Sequence, residues 1–124
     1  MKIRIYYEDT DTGGVVYHSN YLNFCERARS EAFFNLGMTP ELTTGHFVAR
    51  KLEADYFLVS KLGDELEVTS TLLEMKAASF TLLQSIYKKD KKIFELKITL
   101  AYITFEGKVQ RIDTQTKELI SSLF

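Results

Sequence analysis

The sequence contains few of the residues that form disulfides or bind metal ions in small proteins. Its 124 residues include no tryptophan, one proline, one cysteine and two histidines. The lone Cys25 excludes an internal disulfide, which predicts a reducing, cytoplasmic compartment. His18 and His46 form no recognised metal spacing, so no metal site is expected. No apolar run reaches the roughly 18 residues of a membrane span, so no membrane insertion is expected.

Neither sign of charge dominates the chain. Sixteen lysines and arginines face 17 acidic residues, for a formal net charge of −1. Such a balance gives no overall field to attract nucleic acid, so no nucleic-acid partner is expected. A hydrophobic content of 45% and a charged content of 27% exclude disorder. The length predicts one domain spanning residues 1–124, large enough to bury a core unaided.

The N-terminal third reads as strand, turn and long helix. Residues 2–8 alternate as a strand does, and residues 9–14 form an acidic turn with two glycines. Ser19 or Asn20 can cap a helix that runs to about Leu36, with Gly37 just beyond its end. The spacing predicts an inner helix face of Tyr21, Cys25, Ala28 and Ala32, three of them small.

The remaining two thirds read as strands. Alternating runs cover residues 47–59, 65–72, 80–86 and 94–102, with a charged hairpin tip at residues 88–92. Glu106-Gly107 is a turn, and residues 113–123 form a short closing helix. A long helix followed by a run of antiparallel strands predicts an α+β fold, in which a sheet of about five strands wraps the helix on one face.

One stretch carries most of the functional information. Residues 8–21 read Glu-Asp-Thr-Asp-Thr-Gly-Gly-Val-Val-Tyr-His-Ser-Asn-Tyr, and residues 26–29 read Glu-Arg-Ala-Arg. Two acids and a histidine thus lie within ten positions, beside glycines and a helix start. This pattern closely resembles the hotdog-fold acyl-CoA thioesterases of the YbgC type, which are similar to the 4-hydroxybenzoyl-CoA thioesterases.

The resemblance implies a hotdog fold, a curved antiparallel sheet around a central helix. It implies homodimers joined edge to edge, assembling to homotetramers, with active sites at the dimer interface. The substrate would be an acyl-CoA and no separate cofactor is needed, because coenzyme A is part of the substrate. On this pattern the catalytic candidates are Asp11, His18 and Tyr7. The substrate-binding candidates are Gly13, Gly14, Val15, Tyr17, Lys76 and Ser79.

Thioester hydrolysis needs an activated water or a nucleophile, and a site for the oxyanion. Asp11 can act as a general base or as a nucleophile that forms a mixed anhydride. It can also be only an Asx-turn residue before Thr12-Gly13-Gly14. A helix that starts near His18 offers unpaired amides and a positive dipole end to an oxyanion. The glycines give the substrate clearance, form a tight turn, or do both.

Several neighbouring residues allow two interpretations. The His18 ring is either a helix cap or a base and substrate contact, and Tyr7 either a core aromatic or a site residue. Asp9 is interpreted as a turn or capping residue. Glu26 and Arg29, at i, i+3 spacing, are expected to belong to an ion-pair network within the helix or across the dimer. Cys25, in an apolar setting, is not expected to be a nucleophile.

Three functions fit a hotdog domain. The preferred one is an acyl-CoA thioesterase. A hydratase or dehydratase also uses an acid and a histidine, but it lacks the Asp-Thr-Asp-x-Gly-Gly run. A non-catalytic acyl- or protein-binding module has no need of a carboxylate at Asp11. The acyl chain length is not visible in the sequence.

Overall fold

The computed structural model describes all residues, 1–124, as five strands, two α-helices and one short 3₁₀ turn. Strand β1 covers Lys2–Arg4, the 3₁₀ turn Tyr7–Asp9, and helix α1 Asn20–Phe34. Strands β2, β3, β4 and β5 cover His46–Tyr56, Glu65–Met75, Ser79–Lys88 and Lys91–Ile103, and helix α2 covers Thr114–Leu123. The strands form one antiparallel sheet in the order β1-β3-β4-β5-β2. This confirms the α+β hotdog prediction.

The core lies between α1 and one face of the sheet. Alternate residues of the two central strands supply it, because side chains of a strand point to opposite faces in turn. On this face, which we call the helix side, lie Phe80, Leu82, Gln84 and Ile86 of β4 and Phe94, Leu96, Ile98, Leu100 and Tyr102 of β5, all buried. Helix α2 adds Ile120 to the same core. No helix is long and apolar enough to cross a membrane.

The two ends of the sheet carry different features. The β4–β5 hairpin lies at one end, where the loop after β2 also meets Ile93 through the amides of Phe57 and Leu58. The β3–β4 turn lies at the opposite end, with the amide of Lys76 donating to the Ser79 carbonyl. Strand β2 forms the sheet edge, with its outer side unpaired over 11 residues. A β-bulge at Arg50 resets its alternation.

The first strand is shorter than residues 2–8. Pairing with β3 ends at Arg4, and the chain then turns into the 3₁₀ segment. The reason is local: a carboxylate oxygen of Asp9 accepts from the amide of Tyr6 at 2.8 Å, which draws the chain into a turn. Asp9 is buried there, so its interpretation as a turn and capping residue is confirmed.

The inner face of α1 also differs from the expected stripe of small residues. Tyr21 and Cys25 are buried as predicted, but Phe24 and Phe33 are buried too, while Ala28 and Ala32 are only half-buried. The sheet curves around the helix, so the buried surface is wider than one stripe. The helix ends at Phe34, two residues before the predicted end, and Gly37 has the positive φ of 71° expected beyond a helix.

Candidate active site

The acidic stretch folds into a small hairpin in front of α1. Thr10 and Val16 form a bridge, and the amide of Asp11 donates to the carbonyl of Val15 at 2.9 Å. The amide of Gly14 donates a hydrogen bond to the carbonyl of Asp11 at 3.0 Å, and Gly14 has a φ of +82°. A non-glycine residue would be strained there, so Gly14 is required by the turn. Gly13 has no positive φ, so only one of the two glycines takes the left-handed conformation.

Asp11 stands exposed at the tip of this hairpin. Its Oδ1 accepts from the amide of Gly13 at 2.8 Å, which is the Asx-turn foreseen as the alternative to catalysis. Its Oδ2 has no hydrogen-bond partner in the chain. A Cβ added at Gly13 would lie 3.2 Å from Oδ1, so a side chain there would crowd the carboxylate. The turn therefore orients one carboxylate oxygen and leaves the other free.

The start of α1 presents backbone donors beside this hairpin. The amides of His18 and Ser19 donate to no acceptor in the chain, as is usual for the first turn of a helix. Neither Ser19 nor Asn20 caps the helix as predicted. The Ser19 side chain makes no cap bond. The side-chain Nδ2 of Asn20 instead donates to the carbonyl of Asp9 at 2.9 Å. The helix N-terminus is thus left open.

Tyr56 of β2 fixes the position of His18. The Tyr56 hydroxyl donates to the His18 carbonyl at 2.8 Å. Partial burial raises the pKa of Tyr56, so its phenol remains a donor. The His18 ring is exposed and lies 4.5 Å from the Tyr17 ring, centroid to centroid. The helix start is therefore held at the His18 carbonyl, while the His18 ring is exposed and the His18 amide has no acceptor.

Three other predicted site residues form no hydrogen bond with Asp11 or His18. Tyr7 does not share a strand face with Ile3 and Ile5, because it belongs to the 3₁₀ turn, and it is 83% exposed. The core-aromatic interpretation of Tyr7 is therefore wrong. Lys76 and Ser79 lie at the β3–β4 turn. This turn is at the opposite end of the sheet from the acidic hairpin of residues 10–16. Ser79 is buried within the single chain.

A polar network under α1 was not foreseen from the sequence. Gln84 is fully buried on the helix side of β4, and its Nε2 donates to the Cys25 carbonyl at 2.9 Å and to Ser70 Oγ at 3.0 Å. Its Oε1 accepts from Arg29 Nη1 at 2.8 Å. Arg29 therefore pairs with Gln84 and forms no ion pair with Glu26 within the chain, while ion pairing across a dimer stays a prediction. The only advance signal was a glutamine among the apolar residues of β4.

The lone cysteine is chemically quiet in this setting. Cys25 is fully buried against the sheet. Burial raises the pKa of its thiol to about 12, against a smaller opposing effect of Arg29. Since only the thiolate is a good nucleophile, Cys25 does not take part in chemistry near neutral pH. No group of three or more His, Cys, Asp or Glu residues is placed to hold a metal ion.

The structure combines a hotdog sheet, a central helix whose first amides are unpaired, and a loop before that helix that carries a free carboxylate. Together these features define the fold class of the thioesterases. The thioesterase superfamily model matches residues 13–95, beginning two positions after Asp11. Acyl-CoA thioesterase YbgC of Helicobacter pylori is 42% identical over 112 residues, 83% of this chain and 84% of that protein. The Haemophilus influenzae protein of the same name is 35% identical over 89% of this chain and 83% of its own length.

A solved structure agrees with these sequence relatives. A probable thioesterase from Bartonella henselae superposes with a TM-score of 0.84 at 30% identity, covering 91% of this chain and 97% of that one. The chain belongs to the thioesterase superfamily, as the sequence resemblance had indicated. It is a thioester hydrolase.

Proposed function

We propose that the chain hydrolyses acyl-CoA to free acid and coenzyme A at the hairpin and helix start that hold Asp11 and His18. The observations that carry the proposal are a carboxylate oxygen of Asp11 without a partner and, seven residues further along at the start of α1, the unpaired amide of His18. A thioester needs these two functions together, one to deliver oxygen and one to receive negative charge. The YbgC relatives support acyl-CoA as the substrate class.

The carboxylate supports two routes that end in the same products. As a general base, Asp11 takes a proton from water while the water oxygen attacks the thioester carbonyl. As a nucleophile, Asp11 attacks the carbonyl itself, expels the coenzyme A thiolate, and forms an anhydride that water opens. In both routes the carbon–sulfur bond breaks and the thiolate leaves as a thiol after protonation. A free Oδ2 serves either route.

The helix start supplies the oxyanion site in this proposal. The His18 amide has no competing acceptor, and the aligned peptide dipoles of the 15-residue α1 favour negative charge at that end. A fixed donor of this kind contributes about 10²- to 10³-fold to the rate. Gly13 and Gly14 keep the approach to the amide clear, while Val15 and Tyr17 border it.

The site also needs walls that the single chain lacks, which supports a homodimer. Asp11 and His18 are exposed, and the long β2 edge carries half-exposed apolar side chains such as Leu52 and Tyr56. An unpaired edge of 11 residues is a ready template for a second strand. Antiparallel pairing of two β2 edges would bring the β3–β4 end of one subunit toward the hairpin of the other. Further pairing to a homotetramer stays a prediction.

That arrangement would give the predicted coenzyme A residues a role. Lys76 at the β3–β4 turn lies near the segment that carries Arg111, because the amide of Ile112 donates to the Ala77 carbonyl at 2.7 Å. Arg111 and Lys108 are exposed and form no ion pair within the chain, so they are free to meet phosphate. Ser79 would contribute only if pairing exposes its hydroxyl. Tyr7 stays a prediction that no contact supports.

The test is coenzyme A release from a panel of short, long and aromatic acyl-CoA substrates, followed with a thiol reagent. We expect release that saturates with substrate and is abolished by heat unfolding. Tight binding of acyl-CoA without release would favour a non-catalytic binding module. Consumption of a 2-enoyl-CoA with no thiol release would favour a hydratase.

A further inference from the structure

A cavity of about 140 Å³ lies under the second half of α1 and is bordered on one side by Phe47 and Ala49 of β2. Its walls are mainly apolar and come from α1, the three strands β2, β4 and β5, and the residue that follows α2. Glu26 and Arg29 line the cavity from α1. The apolar lining residues include Phe33, Phe47, Phe80, Leu100 and Phe124. Nothing in the catalytic proposal uses this space, and its lining suits a hydrocarbon better than a polar ligand.

A separate groove of about 640 Å³ runs along the other flank of α1. It is lined by Ala28 and Ala32 of the helix, together with Val68 of β3 and Met1. Phe124 is the one residue that lines both spaces. Its ring stacks on Phe80 at 6.4 Å between centroids and 20° between planes, beneath the helix. Phe124 thus borders both the small inner cavity and the large open groove.

The inner cavity lies in line with the proposed chemistry. Glu26 follows Asn20, the first residue of α1, by six residues, which is about 9 Å along a helix, and His18 lies two residues before Asn20. Between them the helix side of β2 offers Ala49, Leu52 and Ala54, apolar side chains that are exposed at the edge. A fatty acyl chain anchored by its thioester at His18 can follow this strip into the cavity.

We infer that the cavity receives the distal end of the acyl chain and that Phe124 sets the longest chain accepted, by closing the cavity at its inner end. The inference rests on the proposed acyl-CoA thioesterase function. It assigns a specificity role to a residue outside the motif, contributed by the C-terminal segment. Removing the ring would join the cavity to the groove under α1 and let a longer chain pass beneath the helix.

The experiment measures kcat/KM against a ladder of straight-chain acyl-CoA substrates for the wild type, Phe124→Ala and the milder Phe124→Leu. For chains two carbons longer than the wild-type optimum, kcat/KM relative to that optimum should rise about tenfold in Phe124→Ala, the gain from burying two more methylenes. Phe124→Leu should shift the profile in the same direction by less. Phe34→Ala is the matched control, since Phe34 is half exposed and lines neither space.

A second variant asks where the extra carbons go. Ala32→Leu added to Phe124→Ala narrows the groove on the far side, so it should return the length profile toward that of the wild type. An unchanged profile in a folded, active Phe124→Ala or Phe124→Leu would overturn the inference. If Phe124→Ala does not fold, the Phe124→Leu profile decides the question.

Binding separates this inference from the thioesterase proposal. Calorimetric titration with free fatty acids of increasing length needs no hydrolysis. We expect Phe124→Ala to bind the longer acids about tenfold more tightly than the wild type does, relative to the shorter ones. If no substrate is hydrolysed but this shift is present, the thioesterase proposal fails and the cavity assignment stands. If hydrolysis occurs and binding shows no shift with length, the cavity assignment fails alone.

Discussion

At the scale of single residues, the turn interpretation and the catalytic interpretation of Asp11 are compatible. The Asx-turn uses one oxygen, through the Gly13 amide, and leaves the other without a partner. The same bond holds the carboxylate in one orientation, which a reacting group needs. Asp9 in the same motif also accepts one bond, from the amide of Tyr6 in the 3₁₀ turn, but it is buried whereas Asp11 is exposed. Two acids two positions apart therefore have different surroundings, and only the exposed Asp11 is open to a substrate.

The backbone amide of His18, rather than its ring, is expected to matter most for the rate. His18→Pro removes the N–H at a position before the helix where proline is tolerated. We expect a fall in kcat of about 10²- to 10³-fold, measured by coenzyme A release. His18→Ala keeps the amide and should stay within about tenfold of the wild type. Equal losses in both variants would instead assign the role to the imidazole.

Cys25 should resist alkylation in the native protein. Its side chain is fully buried and its thiol has a pKa of about 12, so almost no thiolate is present at pH 8. Mass spectrometry after iodoacetamide treatment should find the native chain unlabelled and the urea-unfolded chain labelled once. Rapid native labelling, with loss of activity, would contradict the position assigned to Cys25.

At the scale of elements, alternation predicted the four long strands well but misjudged the surroundings of the helix. β3, β4 and β5 follow their apolar periodicity closely, because each has one face against α1. The helix does not, because the sheet curves around it and buries Phe24 and Phe33 as well as the predicted stripe. The end of β1 was not predictable from alternation either, since a single side-chain bond at Asp9 ends it.

The Gln84 network should be a large contributor to the packing of α1 on the sheet. Gln84→Leu leaves Arg29 without its partner and Ser70 without a donor in the interior. We expect the free energy of unfolding to fall by about 2 kcal/mol, since unpaired buried polar groups cost more than a bond gains. Urea denaturation measures it, with Gln115→Leu on the exposed face of α2 as the control. A loss no larger than that of the control would mean that water replaces the lost amide.

At the scale of the whole molecule, the main feature without a partner is the β2 edge, whose outer side is unpaired. Leu52→Lys puts a charge in the middle of the proposed dimer interface, where two copies would face each other. We expect the variant to sediment as a monomer and to lose most of its activity, because each site would lose a wall. Leu73→Lys changes a leucine of similar exposure, 48% against 46%, on β3 away from the edge, and should keep the dimer.

A dimeric Leu52→Lys, or a monomeric wild type with full activity, would contradict the proposed interface.

The sequence resemblance implied the dimer, but hydrophobic periodicity alone cannot do so. An edge strand reads in sequence like any other strand, and its outer side becomes visible only when strand order is known. The same holds for Phe124, whose position between two cavities depends on where α2 packs and not on any local pattern.

The hairpin motif was the most predictable part of the site, because its chemistry is contained in contiguous residues. Asp11, Gly14 and His18 all lie within one short loop and the helix start that follows it. Tyr56 was not predictable, since its bond to the His18 carbonyl joins residues 38 positions apart. Local sequence thus indicated which groups are proposed to react, while the fold shows which residues hold them in place.

The central claim is that the Asp11 carboxylate does the chemistry, and Asp11→Asn tests it most directly. Asparagine keeps an oxygen for the Gly13 amide, so the turn and the melting temperature should be unchanged, while the base or nucleophile is lost. We predict a fall in kcat/KM of about 10²- to 10⁴-fold on the best acyl-CoA substrate, with Glu8→Gln, an exposed carboxylate nearby, close to the wild type. Full activity in a folded Asp11→Asn protein would contradict the account.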